Sequence, residues 1–375
     1  PASFEPTLDY IVVKAPRFAF EKFADADPRL TTTMKSVGEA MAIGRSFPEA
    51  LQKALRSVEK KGTSFSWTTP TLSRHELTEA VKIPTEFRLQ QVQQLMSLGA
   101  GVEELHDLTK IDPWFLSQIE IINLMASEIQ TASDLNAELL NRAKRLGFSD
   151  NQIGELRGVP DEEVRGVRHR LGIVPVFKTV DTCAAEFEAH TPYHYSSYDL
   201  ESEVKTRTKP AVIILGSGPN RIGQGVEFDY SCVHAAFALK EADYETIMIN
   251  CNPETVSTDY DTSDRLYFEP LTAEDTIELI KKEMSNGELL GVNVQFGGQT
   301  PLSLAKFLQD ENIPIIGTSP DMIDLAEDRD RFKKLLQKLK LNQPQNFIAY
   351  SKQQVIEQVK EIGCYRAIKK NTRDK

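Results

Sequence analysis

The chain has 375 residues, of which 40% are hydrophobic and 26% are charged, values typical of a globular protein with two or three domains. A formal net charge of −11 argues against general nucleic-acid binding, because a protein neutralises phosphates with a surplus of lysine and arginine. No apolar run is long enough to cross a bilayer and the first residues lack a secretory signal, so we expect no membrane partner and a cytoplasmic location.

The first segment, residues 1–58, contains a strand pattern at Tyr10–Lys14 and a helix pattern from Phe47 to Ser57. One strand and one helix cannot form a hydrophobic core of their own. We therefore interpret this segment as the end of a domain that begins before this chain.

In residues 59–203 strand patterns nearly vanish and helix signals recur. Ser73–Glu76 is a capping-box pattern, Asp112 precedes a proline suited to a first helical turn, and Ser133 is predicted to begin another helix. Predicted helix ends are Gly147, Gly158 and Gly172. After Asp112 an apolar stripe is expected at Phe115, Ile119, Ile122, Met125 and Ile129. The segment is predicted to be an all-helical module for packing or self-association.

The four cysteines are widely spaced and lack a C-x-x-C pair, which predicts reduced thiols rather than disulfides. His190 and His194 are four residues apart with Cys183 upstream, but Pro192 disrupts a shared helix face between the two histidines. We therefore predict no metal site in this chain.

From about residue 204 strand and helix patterns alternate, which predicts a doubly wound α/β domain of parallel strands. The strand patterns are Ala211–Leu215, Thr246–Asn250, Val292–Phe296 and Ile313–Ile316. The helix patterns between them are Cys232–Ala242, Ala273–Met284 and Leu302–Gln309.

A glycine-rich loop from Gly216 to Gly225 follows the first strand, and such loops let backbone amides approach an anion. Four residues separate Gly218 from Gly223, whereas the dinucleotide-binding fingerprint has two, and no Gly-Lys-Ser or Gly-Lys-Thr follows. A nicotinamide-dependent oxidoreductase is therefore a weaker alternative than a phosphate-chemistry enzyme, and a non-catalytic oligomerising scaffold is a second alternative.

Polar loops follow all four strand patterns, the last at 317–319, and would meet at one edge of a parallel sheet. Tight turns alone would also explain each loop taken singly. The residues predicted to form this crevice are Gly216, Gly218, Asn220, Arg221, Gly223, Asn252, Gly297, Gly298, Gln299 and Thr300.

Six strings of the sequence resemble signatures of the carbamoyl phosphate synthetase large-subunit family. They are Met34–Glu39, Val180–Phe187, Gly218–Tyr230, Asn250–Asp261, Gly297–Pro301 and Ala326–Arg329. The resemblance extends from residue 1 to residue 364, after which the family pattern of an arginine before Pro-Ser is absent.

The resemblance implies two similar halves joined by a helical region, each half having a pre-ATP-grasp domain followed by an ATP-grasp fold. Residues 1–58 would be the C-terminal tail of the carboxyphosphate half, and 59–203 the oligomerisation domain. Residues 204–327 would be the pre-ATP-grasp domain of the carbamoyl phosphate half, and 328–375 the start of a truncated ATP-grasp domain.

The resemblance also implies an activity: carbamoyl phosphate is made from bicarbonate, ammonia supplied by a glutaminase subunit and ATP, with Mg²⁺ or Mn²⁺, for arginine and pyrimidine biosynthesis. Unstable intermediates pass through a tunnel, to which the resemblance assigns Met34, Glu39, Gly225, Glu227 and Glu254. The alternative for Glu227 and Glu254 is helix capping or a backbone hydrogen bond. The groups that bind ATP and metal would lie outside this chain, so we expect no catalytic residue, no complete ATP site and no activity in this piece alone.

Overall fold

The computed structural model describes residues 7–23, 25–344 and 346–362, which form two compact units that divide after Gly317. The strands of the first unit are β1 Ile11–Arg17, β2 Gly38–Gly44, β3 Val176–Thr179, β4 Tyr193–Ser197, β5 Ala211–Leu215, β6 Glu245–Asn250, β7 Arg265–Phe268 and β8 Leu289–Asn293. Its helices are α1 Phe47–Ser57, α2 Arg74–Val81, α3 Arg88–Ser97, α4 Val102–Thr109, α5 Pro113–Thr131, α6 Ala137–Arg145, α7 Asp150–Arg157, α8 Asp161–Arg170, α9 Glu227–Glu241, α10 Ala273–Ser285 and α11 Gln299–Asp310. The second unit contains α12 Pro320–Glu327, α13 Arg329–Lys338 and α14 Lys352–Ile362.

The first segment forms an antiparallel hairpin of β1 and β2 followed by α1. The Ser46 hydroxyl caps α1 by accepting a hydrogen bond from the backbone N–H of Glu49 at 3.4 Å. The predicted strand and helix are therefore confirmed. We did not predict β2, because its buried residues include Ala40 and Ala42, which have weak strand propensity.

Helices α2 to α8 pack around one apolar core. The capping box at Ser73 and Glu76 is present, with both hydrogen bonds made, and Asp112 caps α5 by accepting a hydrogen bond from the N–H of Trp114. The prediction that Ser133 begins a helix is wrong. Its hydroxyl donates to Asp134, and Asn136 caps α6 instead.

The longest helix, α5, buries four of the five residues predicted for its apolar stripe, Ile119, Ile122, Met125 and Ile129. Phe115 is exposed, and Leu116 takes the buried position beside it. Phe115 instead makes ring contacts with Phe47 and Trp114. The helical period was therefore predicted correctly, and the N-terminal end of the stripe was placed one residue early.

One six-stranded sheet has the order β3-β4-β7-β6-β5-β8. Only β3 and β4 pair antiparallel, and the other neighbours are parallel. The order reverses at β5, since β6 and β7 lie to one side of it and β8 lies to the other. Such a reversal leaves a crevice beyond the carboxyl ends of the strands.

Two predictions about strands are wrong. Residues 59–203 are not all-helical, because β3 and β4 lie within them; their polar residues and short length concealed them. The predicted fourth strand at Ile313–Ile316 contributes only a single parallel bridge, between Ile315 and Val292. We also did not predict β7, which has four residues.

Buried ion pairs join helices α1 and α8 to helix α10 within the first unit. The Arg168 side chain is fully buried and contacts Asp150 at 2.9 Å and Glu278 at 2.6 Å. Arg56 donates to Asp275 through two hydrogen bonds of 2.9 Å. In the part of the chain that the structure describes, no helix is both long and apolar enough to span a membrane.

Candidate functional site

The loops after β5 and β6 are fixed to each other by Asn250, the last residue of β6. Its amide oxygen accepts hydrogen bonds from the N–H groups of Gly218 at 3.1 Å and Cys251 at 2.9 Å. Its amide nitrogen donates to Ser257 at 3.1 Å. A Cβ at Gly216 would lie under 3.0 Å from the Asn250 side chain, so this approach requires glycine.

The loop after β8 meets the same glycine loop. A Cβ at Gly297 would lie under 3.0 Å from the carbonyl oxygen of Gly216. Gly298 has a φ of +76° and packs against the side chains of Phe228 and Gln224. Three of the four predicted loops therefore converge at the carboxyl ends of neighbouring strands, which is the arrangement expected of a ligand crevice.

Asn220 connects this crevice to the N-terminal hairpin. The Asn252 amide nitrogen lies 3.5 Å from the Asn220 amide oxygen, and the Asn252 oxygen accepts the N–H of Glu254 at 3.1 Å. A Cβ at Gly38, the first residue of β2, would lie under 3.0 Å from the Asn220 backbone. The first strand pair thus forms one wall beside the predicted crevice residues.

Other predicted crevice residues lie around these contacts. Gly223 has a φ of +87° and open space around its α-carbon, and Gln299 is the first residue of α11. The fourth loop begins at Gly317, beside the Gln295 side chain, and its remaining residues belong to the second unit.

Glu59, which no motif in the sequence identified, contacts two of the predicted crevice residues. Its carboxylate accepts hydrogen bonds from Arg221 at 2.8 Å and from the Thr300 hydroxyl at 2.5 Å, and Arg221 also contacts Thr300. Burial raises the pKa of Glu59, although the Thr300 hydrogen bond and the charge of Arg221 oppose the increase. The sequence offered little reason to predict Glu59 as a site residue, because a glutamate just after the end of a helix is ordinarily exposed.

Four of the five predicted tunnel residues form two pairs. Lys14 bridges Glu39 at 2.8 Å and Glu254 at 2.6 Å, and its hydrogen bond lowers the pKa of Glu254. Glu227 accepts a hydrogen bond from the N–H of Gly225 at 3.1 Å, which also agrees with a backbone-binding role.

The fifth predicted tunnel residue, Met34, lies between β1 and β2 and is 84% exposed. The structure thus brings Glu39 to Glu254 and Gly225 to Glu227. The tunnel roles of all five stay predictions.

Among residues 7–23, 25–344 and 346–362, no group of three or more His, Cys, Asp or Glu is arranged to hold a metal ion. His194 is buried on β4, and burial lowers its pKa to about 4. The prediction of free thiols is confirmed for Cys183, Cys232 and Cys251, and Cys364 lies outside the described residues.

Two family models match this chain. The carbamoyl phosphate synthase preATP-grasp domain matches residues 208–325, and the carbamoyl-phosphate synthetase large-chain oligomerisation domain matches residues 39–172. The carbamoyl phosphate synthase large chain of Kineococcus radiotolerans is 63% identical over 94% of this chain, and that of Streptomyces griseus subsp. griseus is 64% identical over 92%. The chain belongs to the carbamoyl phosphate synthase large-chain family.

This chain covers 32% of the Kineococcus protein and 31% of the Streptomyces protein, so it spans about a third of the curated relatives that it matches. Family membership confirms the resemblance. The three converging crevice loops lie within the region that matches the preATP-grasp domain. Glu59 and the hairpin, which border the crevice, precede that region in the sequence.

Proposed function

We propose that this chain forms an internal part of an ATP-dependent ligase that makes carbamoyl phosphate from bicarbonate, glutamine-derived ammonia and two ATP. The observation that carries the proposal is the convergence of three family-like loops, in which Asn250 binds Gly218 and Gly297 packs on Gly216. The proposal includes a role in arginine and pyrimidine biosynthesis and a cytoplasmic location.

Carboxylates beside the crevice suit the handling of reactive intermediates. Glu254 and Glu227 lie at the ends of the loops after β6 and β5, and their acceptor oxygens can orient a carbamic acid and order nearby water. Lys14 lies between the Glu39 and Glu254 carboxylates, and its positive charge reduces the repulsion between them. A path lined in this way would shield carboxyphosphate and carbamate from hydrolysis.

The described residues show no cluster suited to the Mg²⁺ or Mn²⁺ that would accompany ATP. Phosphoryl transfer needs fixed cations and carboxylate ligands around the phosphates, and no metal-holding cluster is present in the described residues. We therefore assign these groups to other parts of a complete large chain and expect this polypeptide alone to be inactive.

Self-association is proposed through the helical region, whose match to an oligomerisation domain supports it. Helix α5 exposes four large apolar side chains, which are Trp114, Phe115, Ile121 and Leu124. Exposed apolar side chains gathered on one surface often mark a protein interaction site. The same observation supports a scaffold role as a second candidate function. A glutaminase partner is proposed from the family alone.

A chimera tests the proposed activity. This sequence would replace the matching third of the Kineococcus large chain, and carbamoyl phosphate would be measured with ATP, bicarbonate and ammonia. We expect the chimera to form carbamoyl phosphate and the isolated chain to form none. An inactive but folded chimera would contradict the proposed function, as would turnover by the isolated chain.

A further inference from the structure

Glu59 is the point at which three separate parts of the chain meet. It follows the end of α1, whereas Arg221 belongs to the loop after β5 and Thr300 to the first turn of α11. We call Glu59, Arg221 and Thr300 the Glu59 cluster. Its three contacts join residues that are 162, 241 and 79 positions apart in the sequence.

The backbone at Glu59 is held in an unfavourable conformation that aims the carboxylate inward. Its φ of +57° is in the left-handed region, which is unfavourable for a residue that carries a Cβ. Arg17 of β1 holds this turn by donating to the carbonyl oxygen of Val58 at 2.5 Å. Because Arg17 also donates to the Glu59 carbonyl at 3.4 Å, the turn is fixed from the hairpin side.

The carboxylate fits closely against the glycine loop. One oxygen binds Arg221 and Thr300, and the other is buried, lacks a hydrogen-bond partner in the described part of the chain and faces Gly218. A Cβ at Gly218, where φ is +67°, would lie under 3.0 Å from that oxygen. Glu59 therefore sets the direction of Arg221 and packs closely against Gly218, whose N–H is bound by Asn250.

We propose that Glu59 is a positioning residue that holds the glycine loop and the start of α11 in register, and that Arg221 orients the loop instead of binding substrate. This inference rests on the proposed function, because the loop leads directly to Gly225 and Glu227 at the predicted intermediate path. Without Glu59 the loop would move and the path would admit water. Carboxyphosphate would then react with water to give bicarbonate and phosphate, so that ATP is consumed without product.

The functional test uses the chimera described above. Glu59→Gln removes the charge at nearly constant size, and we expect the ratio of ADP to carbamoyl phosphate to rise by about threefold or more, because small displacements at a reaction path have large effects. Thr300→Ala, which leaves the ion pair in place, should raise the ratio less. Glu21→Gln is the matched control, because Glu21 pairs with the neighbouring Lys60 at 2.9 Å on the surface, and its ratio should equal that of the wild type.

Hydrogen exchange tests the same inference without activity. In the 375-residue chain, Glu59→Gln should speed exchange of the 216–225 amides by about tenfold or more, since the neutral amide loses the negative charge that holds Arg221. Exchange in α5 should stay unchanged. Unchanged loop exchange in Glu59→Gln would overturn the positioning role, and so would an unchanged ADP ratio in an active chimera. If the wild-type chimera makes no carbamoyl phosphate, the proposed function fails and the exchange result alone decides the role of Glu59.

Discussion

Lys53 and Glu269 form a salt bridge of 2.8 Å in which the two side chains are only 2% and 1% exposed. Lys53 lies on α1, and Glu269 follows β7. The Lys53 ammonium also donates to the carbonyl oxygens of Ile43 at 3.1 Å and Ser196 at 2.9 Å, so all its hydrogen-bonding groups are satisfied inside the protein. One lysine thus links a helix, the hairpin and two parts of the main sheet region.

Replacing Lys53 by methionine should lower the free energy of unfolding by about 3–5 kcal/mol, because it leaves the Glu269 carboxylate buried without its cation. Urea denaturation followed by circular dichroism would measure the change. Lys82→Met is the control, since the Lys82–Glu79 pair is exposed and should contribute under about 1 kcal/mol. Equal losses in the two variants would contradict the importance of the buried pair.

Gly297→Ala should destabilise the protein by about 2 kcal/mol, because the added methyl group collides with the backbone of Gly216 and must push two loops apart. Gly166→Ala is the matched control. It lies inside α8 with only the end of the Arg170 side chain nearby, and it should stabilise by about 0.5–1 kcal/mol. Thermal unfolding of both variants gives the comparison, and a neutral Gly297→Ala would show that the loops are not in contact.

Burial and the nearby charge of Arg265 lower the pKa of His194 from 6.5 to about 4. The folded state keeps His194 neutral, so the unfolded state binds more protons between pH 6.5 and pH 4. Stability from this group is therefore complete above pH 6.5 and is lost as the pH falls to 4, by about 3 kcal/mol in total. Denaturation at pH 7.5 and pH 5 should show the loss in the wild type and in His75→Gln on the surface of α2. His194→Gln should show a smaller loss; a pH dependence identical to the wild type would exclude His194 as its source.

Lys14→Met should raise the pKa of the Glu254 carboxyl group, because its largest cause of lowering is the hydrogen bond from Lys14. Carboxyl ¹³C NMR of glutamate-labelled protein would follow the titration. The control is Lys334→Met, which removes another exposed lysine from an ion pair with Asp330 in the second unit. An unchanged Glu254 titration in Lys14→Met would mean that the bridge does not form in solution.

Leu124→Glu on α5 should weaken self-association, because a charge at a 66% exposed apolar position opposes burial in an interface between copies. Sedimentation velocity would measure the fraction of oligomer. Leu200→Glu, on the segment after β4, changes a leucine that is even more exposed, at 89%, and should have no effect. Oligomers that persist unchanged in Leu124→Glu would exclude this face of α5 from the interface.

Helix ends and buried strands could be predicted from the sequence because local chemistry determines them. The Ser73 capping box and the apolar run of β5 are examples, since each depends on residues adjacent in the chain. In contrast, β3, β4 and β7 are short and partly polar, and they are strands only because each pairs with a distant neighbour.

The loops of the candidate site were also predictable, because glycine and asparagine after a buried strand indicate the carboxyl edge of a sheet. The groups that hold those loops were not. Glu59 and Lys14 reach the crevice from far away in the sequence, since their contacts with Arg221 and Glu254 join residues 162 and 240 positions apart. No local sequence pattern predicts such a contact, because glutamate and lysine side chains are far more often exposed at the surface.

The pairing of β4 with β7 has a consequence for dissecting the protein. Tyr193 and His194 of β4 lie beside Leu266 and Tyr267 of β7, and the N–H of Leu266 donates to Pro192 at 2.8 Å. A polypeptide begun at residue 204 would leave β7 as a bare edge strand with apolar side chains, and such edges recruit strands from other molecules. The α/β region is therefore expected to aggregate when expressed without residues 176–197, because these residues cover the edge of β7.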